Sequence, residues 1–242
     1  MYSKKILIVI PIVITVVLIG VIYMDSLERS DANDAGSVKP EQHHSSERTY
    51  AKEPGPEDLE RILTIEQELE GLDNENLAIA FMGEIIQIYM NNDRLDGAAE
   101  AAERRAGLTG EFEDWKKAGD WYHEWMLKES DQEYIHYFSQ KSASMYEAAL
   151  EVDSVHAKVR TDMAVEYMRL GQPDKAIWNL EKVLGHDPDF LNANYNLGVI
   201  LHQMGKKDKS ISYLKRSLEL AEGTEKEETV RNFLQQNEIQ TL

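Results

Sequence analysis

Cysteine is absent from the 242 residues. Disulfides, thiolate nucleophiles and cysteine-ligated zinc are excluded with it. Bases are scarce as well: 26 Lys and Arg stand against 44 Asp and Glu, a net charge of −18. Nucleic acid is therefore not an expected partner, because binding it needs a cationic surface that neutralises phosphates. An anionic lipid surface would repel the same body. Catalytic signatures are missing too. No Gly-rich phosphate loop and no G-x-S-x-G elbow occur. The stretch HEWML at 123–127 begins like a zinc-protease HExxH, but Leu127 stands where the second histidine must be. The seven histidines are scattered, and His43 and His44 are neighbours in a polar stretch that cannot hold them rigid. No catalytic, metal or cofactor site is expected, and the chain does not read as an enzyme.

One long hydrophobic run is present. Residues 6–24, ILIVIPIVITVVLIGVIYM, carry no charge. As a helix they would span roughly 28 Å, close to the bilayer's hydrocarbon thickness. Lys4 and Lys5 precede the run, and Asp25, Glu28, Asp31 and Asp34 follow it. The positive-inside rule then places the N-terminus in the cytoplasm and the bulk across the membrane. A cleaved signal peptide is the rival reading, but the run is long and GVIYMDSLE lacks a small-x-small cleavage pattern. The expectation is an uncleaved single-pass anchor in residues 1–24. Residues 25–56 are polar and read as a disordered tether, with an r.m.s. reach of roughly 30 Å.

The body that follows speaks twice at a fixed interval. Residues 164–176 read AVEYMRLGQPDKA, and residues 198–210, thirty-four positions on, read GVILHQMGKKDKS. In full register Gly171 pairs with Gly205, Asp174 with Asp208, Leu180 with Leu214 and Leu184 with Leu218. Apolar residues recur at three and four, at Met163, Tyr167 and Leu170, then at Ala176, Ile177, Leu180, Val183 and Leu184. That is the helical period twice, broken at Gly171, the usual left-handed stop. Pro173 sits where a first helical turn tolerates it. Each copy is an antiparallel helical hairpin that cannot cover its own apolar face, so neighbours must stack on it.

This pattern resembles the tetratricopeptide repeat family over residues 157–223. The family's small residue in the first helix matches Ala164 and Gly198, and the small residue early in the second helix matches Ala176 and Ser210. The closing proline matches Pro188 in the first copy, and Glu222 replaces it in the second. The family's tryptophan at the fourth position is missing, with Arg160 and Asn194 in its place. The resemblance implies an all-α fold: a tetratricopeptide-type α-solenoid of stacked antiparallel helical hairpins, preceded here by one transmembrane helix. It also implies a superhelix whose concave face, lined by the first helices, binds a peptide. The groove positions fall on Lys158, Thr161, Asp162, Val165, Met168 and Arg169, then on Asn192, Tyr195, Asn196, Val199, His202 and Gln203. A carboxylate-clamp subclass needs Lys and Asn where Thr161 and Val165 stand, so that clamp is incomplete although Asn196 fits it.

The expected organisation runs as follows. Residues 57–153 are divergent hairpins, 154–223 two well-formed repeats, and 224–242 a capping helix begun by a capping box at Thr224 and Glu227. No breaker separates Asp131 from Val152, so the helix there is stretched. The aromatics of residues 112–146 could form an aromatic wall for a peptide, but the favoured reading is the bulky core of an enlarged hairpin. The expected function is a membrane-anchored scaffold that binds peptide segments of other proteins. Its layout resembles that of bacterial envelope factors acting in protein assembly or maturation, which would place the bulk in the periplasm. The alternative expectation is a structural role by self-association into a homo-oligomer.

Overall fold

The computed structural model describes residues 54–237 and 239. The expected anchor and nearly all of the expected tether lie outside the described residues. Among the described residues no helix is long and apolar enough to cross a membrane. They form ten α-helices and no strand: α1 Pro56–Leu69, α2 Glu75–Asn91, α3 Leu95–Thr109, α4 Phe112–Leu127, α5 Gln132–Val152, α6 Ala157–Arg169, α7 Pro173–His186, α8 Leu191–Gln203, α9 Lys207–Ala221 and α10 Glu227–Gln236.

Local chemistry sets the ends. The Asn74 side chain accepts from the Leu77 N–H, Asp131 from the Glu133 N–H, and His156 Nδ1 from the Val159 N–H. Each thereby satisfies an orphan donor of a first turn. Pro173 opens α7, where its missing N–H costs nothing. Gly171 and Gly205 sit at φ +68° and +72°, a region closed to most side chains. Beyond them the Gln172 N–H closes on the Tyr167 carbonyl at 2.8 Å, and the Lys206 N–H on Leu201 at 2.9 Å. The two turns are therefore the same turn, thirty-four residues apart.

Consecutive helices pack antiparallel as hairpins α2/α3, α4/α5, α6/α7 and α8/α9, and α6 also touches α8. The close approaches fall where small residues stand. Ala164 and Ala176 are fully buried. At Gly198 an added Cβ would lie 2.7 Å from Leu214 Cγ. The Ser210 hydroxyl donates to the Gly198 carbonyl at 2.8 Å, a satisfied polar pair inside the hairpin.

The α4/α5 hairpin repeats this joint. Ser142 Oγ donates to the Gly119 carbonyl at 2.9 Å, and the Tyr146 ring lies where a Cβ at Gly119 would be 2.6 Å from it. Yet α4 starts 45 residues before α6, whereas α6 starts 34 before α8. The excess of eleven residues is about three helical turns, shared between longer arms. Whole turns keep the apolar faces in phase, so the hairpin lengthens without repacking. The aromatics of 112–146 fill it: Tyr122, Phe138 and Tyr146 are fully buried, and Trp125 stacks on Phe138 with centroids 3.8 Å apart.

The last helix starts later than the capping box implies. Thr224 lies in a turn, and α10 begins at Glu227. The Glu227 carboxylate reaches back to the Gly223 N–H at 2.8 Å, one residue beyond the expected partner Thr224. Val230 and Leu234 of α10 then complete the core over Leu214 and Ala221.

Candidate functional site

The first helices α6 and α8 lie side by side, and their shared face holds the sequence-predicted groove residues. Six of these enclose one cavity of about 160 Å³: Val165 and Met168 from α6, and Tyr195, Asn196, Val199 and Gln203 from α8. Their spacing explains the convergence, because residues three and four apart share a helical face. Ile200 completes the lining. Its burial gives it the signature of a core position rather than a groove one.

The other six go elsewhere. Thr161 is 1% exposed and donates its hydroxyl to the Ala157 carbonyl of its own helix. Lys158 and Asp162 pair with each other at 2.6 Å. Burial pulls the Lys158 ammonium down, but its bond to Asp162 outweighs this and holds it above the ordinary lysine value. Arg169 turns back toward Glu166, with 3.8 Å between Nε and Oε2. Asn192 accepts from Lys226, which lies just before α10, at 2.7 Å. The Phe233 ring of α10 stands edge-on to His202, and also to Tyr195, at 5.9 and 5.8 Å. The chain's own last helix therefore covers one end of the face, and burial pushes the Tyr195 phenol above its usual value.

Charges along this face are paired internally. Lys116 and Asp120 of α4 make a second i,i+4 pair at 2.6 Å. Asp120 also accepts from the Tyr146 hydroxyl at 2.9 Å, and burial, helped by that neighbouring charge, pushes the Tyr146 phenol up. Between α4 and α6, Glu166 is wholly buried and takes His123 Nδ1 at 2.5 Å. What remains open at the cavity is uncharged: amide groups around an apolar floor. Such a site can hold one apolar side chain while amides bond an extended backbone. Among the described residues no group of three or more His, Cys, Asp or Glu could hold a metal ion.

Residues 161–224 match the tetratricopeptide repeat family. No curated protein matches the chain. Solved structures match its fold. The crystal structure of MamA is similar over 66% of this chain and 86% of its own, at 22% identity and a TM-score of 0.50. A thermophilic tetratricopeptide repeat protein of Thermus thermophilus is covered in full, against 76% of this chain, at 16% identity and a TM-score of 0.52. A tetratricopeptide repeat protein from Parabacteroides merdae matches at 15% identity and a TM-score of 0.52, over 67% of this chain and 60% of its own. The described residues are thus a tetratricopeptide-like helical solenoid. The match begins four residues into α6 and ends just after α9, and the longer α4/α5 hairpin lies outside it.

Proposed function

We propose that this protein is a binding scaffold that receives an extended peptide segment of another protein across α6 and α8. The observation that carries the reading is the 160 Å³ cavity, lined by apolar Val165, Met168, Val199 and Ile200 with the amides Asn196 and Gln203 among them. Residues 6–24 would anchor the scaffold in a membrane, residues 25–56 would give it reach, and its partners would be envelope proteins undergoing assembly or maturation. Fold and layout support that placement by analogy. The test is in-cell photo-cross-linking from position 203 of the full chain, compared with a Met168→Lys, Asn196→Ala variant. Both positions are partly exposed, so helicity by circular dichroism should be unchanged. A defined protein captured by the parent chain and lost in the variant supports the reading. Identical capture by both refutes it.

A second reading, self-association, rests on α1. Leu59 and Leu63 lie one turn apart and are 41% and 62% exposed at the first face of the stack. Light scattering of the full chain in detergent over a concentration range tests this. Constant mass, or mass that does not fall in a Leu59→Glu, Leu63→Glu variant, rejects it.

A further inference from the structure

The two well-formed hairpins differ at one place on their second-helix side, and the difference exposes a site. In the second hairpin Arg216 is held by two carboxylates. Its Nη2 lies 2.5 Å from Asp189 Oδ1, and its Nη1 2.9 Å from Glu219 Oε2. Thirty-four residues earlier the same place holds Lys182, and both acids are gone: Val155 stands for Asp189 and Gly185 for Glu219. The small Ser212 is replaced by Trp178. Trp178 is 54% exposed, with Lys182 Nζ 5.4 Å and Arg160 Cζ 5.5 Å from its ring. Arg160 bonds the Asn179 amide and the Ser154 carbonyl, and among the described residues neither cation meets a carboxylate. Beside them opens a cavity of about 420 Å³ lined by Trp178, Glu181, Lys182, Gly185 and His186. On the other side of Trp178 a cleft of about 640 Å³ is mixed in sign, with Glu147, Glu151 and Asp174 on its walls.

We propose that the face around Trp178 binds an acidic peptide segment of a partner protein, with a partner carboxylate taking at Lys182 the place that Asp189 and Glu219 hold at Arg216. An apolar side chain beside that carboxylate would lie against Trp178 and the exposed Val155. Three observations converge. The second hairpin shows the same position with its carboxylates in place. The first lacks both and offers cavity volume where one of them would be. An exposed tryptophan framed by two uncompensated cations, on a chain of net charge −18, supplies the large anchoring surface typical of contact hot spots. The face is separate from the α6/α8 cavity, so it stands or falls independently of the groove.

The test uses the full chain in mild detergent and tryptophan fluorescence. Trp121 and Trp125 are buried and Trp115 is half-buried, so Trp178 dominates any solvent-facing response. The probe is a short blocked peptide of glutamates flanking a Leu-Phe pair, with a lysine-for-glutamate counterpart. The decisive variant is Val155→Asp, Gly185→Glu, which restores both missing acids. Val155 is 61% exposed and a Cβ at 185 meets nothing within 4 Å, so the fold should tolerate both. The expected result is saturable binding of the acidic peptide, weakened at least tenfold by the variant and by raised salt, with the fluorescence response itself lost in Trp178→Ser. Equal binding of the acidic and basic peptides, undiminished binding by the double variant, or self-association of the chain at this face with no peptide response would each overturn the proposal.

Discussion

Glu166 gives the sharpest test of how this stack is held together. Its side chain is wholly buried between α4 and α6. One oxygen meets His123 Nδ1 at 2.5 Å, while the other, Oε2, has no hydrogen-bond partner, and Arg169 Nε stands 3.8 Å from it. Removing one member of a buried pair typically costs about 3–5 kcal/mol, because an uncompensated charge stays in low dielectric. His123 is 30% exposed and Arg169 is near, so water and a second cation soften the penalty. His123→Ala should cost about 2–4 kcal/mol. The reverse change is different in kind. Thirty-four residues on, the same position is Ile200, which is also buried. Glu166→Ile therefore replaces a charge by the side chain the fold already accepts, and His123 can turn to solvent. It should lie within about 1 kcal/mol of neutral. The double variant should be more stable than His123→Ala alone. The assay is urea denaturation at neutral pH, with hydrogen exchange of α4 and α6 amides as the local readout, because repeat arrays need not unfold in one step. A neutral His123→Ala, or a Glu166→Ile costlier than it, refutes the reasoning.

Two further outcomes follow from the joints. Gly198→Ala should destabilise the α8/α9 hairpin by about 1–3 kcal/mol through overpacking, since the new Cβ meets Leu214 Cγ at 2.7 Å and the residue 214 backbone N at 3.1 Å; unchanged denaturation midpoints would contradict this. Asp96 adds a pH effect: burial raises its carboxyl, but the Arg94 guanidinium, at 2.6 and 2.8 Å, outweighs this and holds it below the ordinary range. A group lowered on folding stabilises above its unfolded value, near 3.9, and loses that contribution as pH falls. The stability gap between the parent chain and Asp96→Asn should therefore be full at about pH 6 and close below about pH 4, and a gap that widens with acid would refute the pairing.

The second half of the body was legible because its physics is local. A glycine stop, a small residue at each close approach and a three-four apolar period recur at one interval, and each acts within one hairpin. The α4/α5 hairpin obeys the same rules, but its eleven extra residues destroy the interval, so its signs in the sequence are the unbroken run after Asp131 and the alignment of Ala149 and Leu150 with Val183 and Leu184. The joint that identifies it, Ser142 on Gly119, pairs residues 23 apart, whereas Ser210 and Gly198 are 12 apart. The groove was half legible. Spacing brought Val165, Met168, Asn196 and Val199 together, but it could not tell that Thr161 turns inward or that Phe233 would lie against Tyr195 and His202. Thr161 bonds a carbonyl one turn back in its own helix, and the Phe233 contacts are long-range, with no periodic signature. The Trp178 face had a signal that periodicity does not weigh: at matched positions the two repeats exchange Asp for Val, Glu for Gly and Ser for Trp.

Among the described residues each helix packs chiefly on the helices just before and after it in the chain, and α6 against α8 is a weaker contact between non-neighbours. This gives the folding reaction a direction. Closing a hairpin brings together residues a few turns apart in sequence, which is the fast regime of chain closure. During synthesis α2/α3 can close before α6 exists, and each later hairpin docks onto a finished surface rather than searching for a distant one. The last face stays bare until the final ten-residue helix emerges, so a ribosome stalled short of α10 would hold a nascent chain with an open, adhesive end.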